Sequence, residues 1–389
     1  MKFIIEAIGV KSAGGVELVS SLLAHFPHHR NHQFVALLAD LPRYADLDRD
    51  GYRVLRFSPN LGLVNRHFIL NRDIPRICKE EGANALLCLG NFAPSKPSCP
   101  TVVLLQNAWN VYDEPVAEKR MTLKERLVVA YGRRLYRHLP PQTRVIVQTP
   151  VMKERLASYH RLDSARISVV ASAPPVLRLL ERSAPQACTH RREVFSFLCM
   201  SGYYGHKNLE VLIDSVRILP RLSAKPFQCL VTISAERHPG ARKLLARIRT
   251  ERLEDVLVNL GPVPRSELSR VYAQADAYLL PTLLETVGFT YDEAMHFGLP
   301  IVTSDRDFAR DRCRDAAIYF DPLDAQSVAE TMARVMEDEN LRRRLVENGR
   351  RLQKQAPSWE DVASQFVTVL EGAVDHKQPA PQRRYDLSS

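Results

Sequence analysis

The sequence predicts an α/β protein of two doubly wound domains, each a parallel sheet with helices on both faces. Short apolar runs alternate with helical stretches along the chain, and a polar segment separates these runs into two series. The length of 389 residues allows two substantial hydrophobic cores. An apolar content of 45% and a charged content of 25% are those of a soluble globular protein.

Eleven apolar runs are predicted as strands because they are short, rich in aliphatic and aromatic residues, and bounded by turn residues. The first series comprises residues 3–8, 34–38, 54–57, 85–89, 102–105 and 145–148. The second series comprises residues 195–200, 229–233, 256–260, 277–280 and 300–303. Ligands of open parallel sheets bind beyond the carboxyl ends of the strands, so the loops that follow strands are the candidate sites.

The segment 180–193 is polar, contains a proline and has no clear periodicity, so we interpret it as a linker. It separates an N-terminal domain, residues 1–179, from a C-terminal domain, residues 194–374. The polar, proline-containing tail 375–389 is predicted to be disordered.

Cysteine usage and hydropathy point to a reducing, cytoplasmic location. The seven cysteines are odd in number and form no C-x-x-C pair, which disfavours both a zinc site and a disulfide framework. No apolar run reaches the roughly 18–20 residues of a membrane span. The N-terminal apolar stretch is interrupted by Glu6, so a signal peptide is not expected.

The net charge of +10 is concentrated on a helix predicted within residues 119–137. Its basic residues are Lys119, Arg120, Lys124, Arg126, Arg133, Arg134 and Arg137, and apolar residues recur at three- and four-residue steps at Leu123, Leu127, Ala130, Tyr131 and Leu135. Two interpretations stay open: an ordinary surface helix with a solvated basic face, or a helix that rests on an anionic membrane. Nucleic acid is not favoured, because no nucleic-acid-binding motif is present.

Two glutamates, Glu285 and Glu293, follow the predicted strand 277–280 and stand eight positions apart. The expected layout is a Glu-bearing loop, a helix from about Val287 and a helix stop at Gly298. Eight residues span at most about 12 Å of helix rise. One carboxylate could then accept hydrogen bonds from ribose hydroxyls, while the other contacts a sugar. The N–H groups of the helix N-terminus between them could donate to phosphate or sugar oxygens. The alternative is a surface helix whose acids merely complement its dipole.

The stretch from residue 281 to 305 resembles the E-x7-E segment of family 4 glycosyltransferases of the GT-B fold. The resemblance is strong over residues 195–373 and looser before them. It implies two Rossmann-like domains that face a central cleft, with the acceptor side in the N-terminal domain. It also implies that Glu285 contacts the donor sugar and Glu293 the ribose, while Val287, Gly288 and Phe289 complete the sugar pocket.

Further loops resemble donor-binding loops of the same family. Gly14 and Gly15 follow the first strand, where adjacent glycines let backbone N–H groups approach a diphosphate. Lys207, at the entrance of a helix predicted over 209–219 with Asn208 as its cap, matches the basic phosphate-binding loop. The family often has an arginine shortly before this lysine, whereas this chain has Tyr203 and Tyr204.

Three other positions are candidates through the resemblance. Asn107 stands where many family members have a histidine that contacts the donor sugar, and an amide cannot act as a base near neutral pH. Ser234 and Val263 lie in loops that match those around the nucleoside base.

Metal ions and cofactors are not expected. The D-x-D strings at Asp305–Asp307 and Asp46–Asp48 are short acidic turns of a kind that arises easily in a charged chain, so we assign no metal site to them.

The resemblance implies a retaining, metal-independent hexosyltransferase. It would use a GDP- or UDP-sugar and a glycan or lipid-linked acceptor in surface polysaccharide or O-antigen synthesis, with Lys207 and Glu285 as the residues closest to the chemistry. Two alternatives are a GT-B sugar-nucleotide epimerase and a nucleotide-sugar-binding protein without turnover. The joint presence of Lys207, Glu285 and Glu293 argues against the second.

Overall fold

The computed structural model describes residues 1–26, 31–42, 44, 52–174 and 193–375. The predicted linker 180–193 and tail 375–389 therefore lie outside the described residues, apart from Glu193 and Asp375.

The chain forms two compact units. Unit 1 comprises Met1–Asn110, Ala130–Ser172 and Ser358–Ser389, and unit 2 comprises Val111–Val129 and Ala173–Pro357. Among the described helices, none is both long and apolar enough to cross a membrane.

Unit 1 contains a seven-stranded sheet in which every recorded pairing is parallel, in the order β3-β2-β1-β4-β5-β6-β7. Its strands are β1 Lys2–Ala7, β2 Gln33–Ala39, β3 Arg53–Phe57, β4 Ala85–Cys88, β5 Thr101–Leu104, β6 Arg144–Val147 and β7 Ile167–Val169. Strand β1 lies between β2 and β4, with Ile4 opposite both Val35 and Leu86. The strand order reverses direction between β1 and β4, which makes this the topological switch point of the sheet.

The helices of unit 1 begin with side-chain caps where the sequence provides them. Ser12 accepts a hydrogen bond from the Gly15 N–H at the start of the helix Ala13–His25, and Thr149 accepts one from the Met152 N–H at the start of the helix Pro150–His160. The helices are α1 Ala13–His25, α2 Leu63–Phe68, α3 Ile74–Glu80, α6 Pro150–His160 and α14 Trp359–Asp375. A π-helical turn, Ile69–Asp73, joins α2 to α3.

Unit 2 contains a six-stranded sheet, again with parallel pairings, in the order β10-β9-β8-β11-β12-β13. Its strands are β8 Phe195–Cys199, β9 Phe227–Val231, β10 Leu257–Asn259, β11 Ala277–Leu280, β12 Ile301–Ser304 and β13 Ala317–Phe320. Here the switch point lies between β8 and β11.

The helices of unit 2 are α4 Pro115–Glu118, α7 Val211–Ile218, α8 Pro239–Thr250, α9 Leu268–Tyr272, α10 Phe289–His296, α11 Asp307–Cys313, α12 Ala325–Glu337 and α13 Glu339–Lys354. The boundary between the units falls within α5, Leu123–Arg137.

All eleven predicted strands are confirmed to within a few residues. The central strands are buried along almost their whole length, because parallel strands with helices on both faces have no solvent-facing side. Two strands were not predicted, β7 and β13. Both are edge strands with half-exposed residues. Ser168 interrupts the apolar run of β7, whereas β13 is apolar throughout and was missed despite that run.

Helix α14 was predicted to belong to the C-terminal domain, but the structure places it elsewhere. It belongs to unit 1, where it packs against α1, β4 and β5. The buried ring of Phe366 contacts Phe26, with the ring centroids 6.4 Å apart. The apolar stripe of this helix predicts that the helix is buried, but the stripe itself does not identify the sheet that covers it.

Candidate functional site

Two loops meet at the switch point of unit 2. Strand β8 leads into a loop that ends in the 3-10 turn Gly205–Lys207, and β11 leads into the loop that carries Glu285. The Leu283 N–H donates to the His206 carbonyl over 2.7 Å, and the Thr282 hydroxyl donates to the same carbonyl over 3.2 Å. These bonds hold the two loops against each other beyond the carboxyl ends of adjacent strands.

An ion pair between Lys207 and Glu285 lies at this junction. The side chains are only 15% and 14% exposed, and the Thr282 hydroxyl lies 3.4 Å from the same Glu285 oxygen. Burial and the charge of Lys207 lower the pKa of His206 well below its usual range, so this imidazole is neutral near pH 7. Because the pair is largely shielded from water, both charges act strongly on a ligand that enters the site.

Helix α10 begins beside this pair. Gly288, the residue before it, has φ +72°, and a Cβ atom there would lie 2.7 Å from the ring of Tyr291. The Tyr291 hydroxyl bonds to the Thr303 hydroxyl over 2.7 Å, which ties the first turn of the helix to β12. Val287 is buried and Phe289 is half-buried. The helix N-terminus therefore presents backbone N–H groups and the positive end of the helix dipole at the loop.

Glu293 lies further along α10, where a buried tyrosine orients it. The Tyr272 hydroxyl donates to Glu293 Oε2 over 2.7 Å, and the Tyr272 ring stacks on Phe297 with centroids 4.6 Å apart. Burial, followed by the negative charge of Glu293, raises the pKa of Tyr272 well above its usual range. The phenol therefore stays protonated and keeps donating to the carboxylate.

A buried ion pair fixes α10 itself. Arg312 on α11 donates to both oxygens of Asp292, each over 2.5 Å, and Asp292 is 4% exposed. Burial raises the pKa of Asp292 while the guanidinium opposes that rise. The Gln353 amide also donates to the Asp292 carbonyl over 2.8 Å. Tyr272 contacts Glu293 directly, whereas Arg312 and Gln353 hold the helix of Glu293 through Asp292. All three lie too far from α10 in sequence for any motif to indicate their roles.

The loops predicted to surround the base are brought together. Ser234 follows β9 and Val263 follows β10, and both residues are half-buried. Asn259 joins the loops, because its carboxamide accepts from the Ile233 N–H over 3.0 Å and donates to the Ile233 carbonyl over 3.1 Å. Tyr204 is 50% exposed and stacks on His206, with centroids 5.6 Å apart.

Gly15 and Asn107 belong to unit 1. Gly15 is buried, and a Cβ atom there would lie 2.7 Å from Val10 and 3.4 Å from the Gln106 carboxamide, so its loop lies next to the loop of Asn107. The Asn107 carboxamide accepts a hydrogen bond from the Trp109 N–H over 3.1 Å. This bond shapes the strand end at which Asn107 was predicted to act.

Arg120 lies outside the helix to which it was predicted to belong and contacts the Lys207 loop instead. It precedes α5 and donates to the Gly205 carbonyl over 3.2 Å and to the Asn208 carboxamide over 2.9 Å. It also pairs with Glu210 at 3.0 Å, and the Tyr203 hydroxyl donates to Glu210 over 2.5 Å. A guanidinium thus supports the Lys207 loop, although it comes from a segment some eighty residues earlier in the chain (205 − 120 = 85).

The predicted role of Asn208 as a helix cap is wrong. Helix α7 starts at Val211 with Glu210 before it and no side-chain cap. Asn208 instead has φ +54° and donates its amide to the Pro322 carbonyl over 2.7 Å. A left-handed conformation suits asparagine and lets the chain turn sharply after Lys207.

The D-x-D aspartates are engaged by the protein itself. Asp305 accepts two bonds from Arg310, over 2.5 and 2.7 Å, which lower the pKa of its carboxyl group. Asp307 accepts from the Phe308 N–H and from the Tyr112 hydroxyl, over 2.8 and 3.0 Å. In the described part of the chain no three His, Cys, Asp or Glu side chains gather as a metal site, and Asp46 and Asp48 lie outside that part.

Comparisons with known proteins concern the C-terminal segment and the fold. Residues 186–352 match the family model of glycosyl transferases group 1. This segment, which is less than half of the chain, is similar to the group 1 glycosyl transferases. Mannosylfructose-phosphate synthase of Agrobacterium fabrum is 28% identical over 253 residues, which cover 59% of this chain and 52% of that protein. O-antigen chain mannosyltransferase B of Escherichia coli is 26% identical over 163 residues, 42% of each chain. The matches thus span about half the length of these relatives.

The structure of HepE from Anabaena in complex with UDP-glucose superposes with a TM-score of 0.68 at 15% identity, covering 96% of this chain and 100% of that chain. At this identity the likeness shows the fold alone. It confirms the predicted fold of two Rossmann-like domains.

The buried Asp292–Arg312 pair can be tested by removing its cation. In Arg312→Met an unpaired carboxylate remains buried, so the unfolding free energy near neutral pH should fall by about 3–5 kcal/mol. Asp292 has a raised pKa in the fold, so its protonation favours the folded state, and the deficit should shrink as the pH is lowered to about 5. Denaturant unfolding at the two pH values measures both effects.

Arg310→Met is the matched control for this test, because Arg310 lies on the same helix in an exposed pair with Asp305. It should cost less than about 1 kcal/mol. The double variant Asp292→Asn/Arg312→Met should recover most of the loss. Equal losses at both arginines, or a deficit that grows on acidification, would contradict the role assigned to the pair.

Proposed function

We propose that this protein is a retaining, metal-independent glycosyltransferase that moves a hexose from a GDP- or UDP-sugar to a glycan or lipid-linked saccharide. The observation that carries the proposal is the Lys207–Glu285 pair beside the N-terminus of α10, at the switch point of the group 1 segment. The cation and the helix N–H groups can bind a diphosphate. The carboxylate at the same strand ends can accept hydrogen bonds from the sugar that the diphosphate carries.

Each residue then has a chemical role. Lys207 neutralises the diphosphate, Glu285 accepts hydrogen bonds from the sugar hydroxyls, and the backbone at Gly288 and Phe289 closes the sugar pocket. Glu293 accepts from the ribose hydroxyls, held in orientation by Tyr272. The loops of Ser234 and Val263, joined through Asn259, flank the base.

The reaction breaks the bond between the anomeric carbon and the diphosphate oxygen, and the acceptor oxygen forms its new bond on the same face. The proton of the acceptor hydroxyl passes to the departing diphosphate oxygen. No side-chain nucleophile is required, because stabilisation of the leaving diphosphate and positioning of the acceptor lower the barrier. Lys207 and the helix N–H groups supply that stabilisation.

The relatives support the class of substrate. Two relatives are named a mannosylfructose-phosphate synthase and an O-antigen chain mannosyltransferase. A structural neighbour is in complex with UDP-glucose. We therefore propose surface polysaccharide or O-antigen synthesis as the process. Gly15 and Asn107, in adjacent loops of unit 1, are proposed to contact the donor as well.

The two glutamates should separate donor binding from turnover. Glu293→Gln should weaken UDP or GDP binding by about 1.5–3 kcal/mol, because a charge-assisted bond to ribose is lost. Glu285→Gln should leave nucleotide affinity unchanged or raise it, since the carboxylate that competes for Lys207 is gone, while turnover falls by about 100-fold. Calorimetry with the nucleotides and an assay of released nucleotide diphosphate measure the two effects.

Tyr272→Phe is the control, because it removes only the bond that orients Glu293 and should give a smaller loss of nucleotide affinity. Release of nucleotide diphosphate only when acceptor is present distinguishes transfer from epimerisation. If nucleotides bind and no acceptor supports release, the protein is a binding protein. The reverse pattern for the two glutamates would overturn their assigned roles.

Activity should survive chelation. Lys207 and helix N–H groups take the place of a divalent cation at the diphosphate, so EDTA should leave the initial rate unchanged. Restoration of a lost rate by magnesium or manganese would refute metal independence. The variant Asp305→Asn would then show whether the D-x-D segment binds the ion, although Arg310 already engages that carboxylate.

We also propose peripheral binding to the cytoplasmic face of an anionic membrane through α5. The buried residues of this helix are Val129, Gly132 and Tyr136, and none of them belongs to the predicted apolar stripe. The stripe is therefore not the face that packs against the core. Leu123 and Leu127 are 75% and 58% exposed, and the exposed basic residues on this helix are Lys124, Arg126, Arg134 and Arg137. Exposed leucines among basic residues are suited to a headgroup surface. Arg133 instead donates to the Trp109 carbonyl over 3.0 Å.

Replacing Lys124, Arg134 and Arg137 with Gln should weaken binding to anionic vesicles by at most about 3 kcal/mol, and added salt should weaken the wild type similarly. The matched control replaces Arg242, Lys243 and Arg249, three exposed basic residues of α8, with Gln. Vesicle sedimentation compares the two triple variants at equal net charge. Equal binding by both would refute docking through α5.

A further inference from the structure

A solvent-open pocket lies at the amino ends of three strands of unit 1, at the opposite end of that sheet from the loops of Gly15 and Asn107. Its volume is about 640 Å³, and pockets that hold small molecules measure roughly 300–1,000 Å³. Strands β5, β6 and β7 begin at this pocket, and Ala373 in the last turn of α14 also lines it. Its walls include Pro97, Pro100, Pro141, Gln142, Arg144 and Arg166.

The pocket carries two positive charges, and none of its described lining residues is an aspartate or a glutamate. Arg144 is the first residue of β6, and Arg166 directly precedes β7. Because Val145 lies opposite Ile167 in the parallel pairing, the two arginines hold neighbouring positions on adjacent strands. Adjacent strands are about 4.8 Å apart, so an anion held between the two guanidinium groups would relieve the repulsion of like charges.

The guanidinium of Arg144 is half-buried, and its donors are open to a ligand. A Cβ atom at Gly372 would lie 3.2 Å from Arg144 Nη1, so the group rests against the backbone of the last turn of α14. The negative end of the helix dipole favours a cation there. Among the residues that the structure describes, none accepts a hydrogen bond from this side chain or forms an ion pair with it.

Arg166 combines a structural role with free donor atoms. Its Nε and Nη2 donate to the Thr143 carbonyl over 3.1 and 2.9 Å, and Nη2 also donates to the Pro140 carbonyl over 2.6 Å. These bonds hold the loop before β6, while Nη1 donates to no residue in the described ranges. Burial lowers the pKa of Arg166 and the charge of Asp163 opposes that fall, and an arginine stays charged near pH 7.

The other walls are rigid and partly apolar. Pro97, Pro100 and Pro141 have fixed φ angles, so their backbone loses little conformational entropy when a ligand binds. Gln142 is exposed and adds a carboxamide that can both donate and accept. The pocket is therefore larger than an inorganic anion requires, and it offers contact surface to a carbon skeleton as well as to a charge.

We propose that this pocket binds a small organic phosphate, a phosphomonoester whose phosphate lies between Arg144 and Arg166 and whose carbon skeleton contacts the prolines. A phosphomonoester carries a charge of about −1.5 to −2 near pH 7, which two guanidinium groups balance, whereas one carboxylate supplies half of it. The planar fork of an arginine also binds phosphate oxygens in pairs. This inference does not rest on the proposed function, because the pocket shares no residue with the donor-binding set.

The soluble arm of the test uses glycerol 3-phosphate and ribose 5-phosphate, with binding to the full chain measured by calorimetry. Wild-type protein should bind at least one of them. Arg144→Gln should weaken that binding by about tenfold or more, because charge-assisted hydrogen bonds are lost. Arg72→Gln removes an exposed arginine of unit 1 outside the pocket, so it is the matched control and should bind as the wild type does.

The lipid arm asks whether the phosphate belongs to a headgroup. It compares phosphatidylcholine vesicles that contain phosphatidic acid, a phosphomonoester, with vesicles that contain the same fraction of phosphatidylglycerol, a phosphodiester. A selective loss of phosphatidic acid binding in Arg144→Gln identifies a lipid headgroup, and Arg144-dependent binding of the soluble esters alone identifies a metabolite. Docking through α5 responds to both anionic lipids and therefore does not produce this selectivity.

Lys207→Met separates this pocket from the donor site, which is also proposed to bind phosphate. Arg144-dependent binding should persist in that variant. If phosphate esters bind only through Lys207, or if Arg144→Gln and Arg72→Gln behave alike in both arms, the pocket is refuted and the transferase proposal is unaffected. Equal affinity for glycerate, a carboxylate of similar size, would overturn the assignment to a phosphomonoester.

Arg166→Gln is a second variant and should weaken ester binding as well. It also releases the loop before β6, so its thermal unfolding is measured alongside. Should this variant not fold, Arg144→Gln and its control decide the outcome. Normal folding with unchanged ester binding would exclude Arg166 from the site and contradict the two-arginine arrangement.

Discussion

Both sheets of this protein are constrained by the same topology: their first strand lies in the middle, so successive connections must leave it in opposite directions. At the point where the connections diverge, no helix covers the strand ends. The polar groups of the two loops there must therefore pair with each other. In unit 2 this constraint brings Lys207 into contact with Glu285 across 78 positions of sequence. The ion pair follows from the meeting of those loops, whereas Tyr272 orients Glu293 and the Tyr291–Thr303 bond ties the start of α10 to β12.

Each switch point carries one positive and one negative side chain, but in a different arrangement. In unit 2 the cation follows the first strand and the carboxylate follows the fourth strand of its sheet, and the pair is in direct contact. In unit 1 the carboxylate, Glu6, lies on the first strand itself, while the cation, Arg66, comes from α2. The same position in the two sheets therefore carries a contact ion pair in unit 2 and a carboxylate set into the first strand in unit 1.

Much of the fold and part of the site were predictable from local sequence. Buried parallel strands are continuous apolar runs, and the loop with Glu285, the helix with Glu293 and the stop at Gly298 follow from residue types at short spacing. The supporting residues were not predictable. Arg312 reaches Asp292 on another helix, and Arg120 reaches Gly205 from the first half of the chain. Such contacts depend on tertiary packing, which leaves no periodic signal in a single sequence.

The segment 111–129 shows how closely the Lys207 loop depends on such packing. It clusters with unit 2, and a Cβ atom at Gly205 would lie 2.9 Å from Arg120 Cβ and 3.1 Å from the Ala117 carbonyl oxygen. The 3-10 turn therefore fits against this segment only because residue 205 is a glycine. Arg120 then donates to the turn, and Glu210 balances its charge. Because Lys207 ends that turn, its direction toward Glu285 is fixed by residues from a distant part of the sequence.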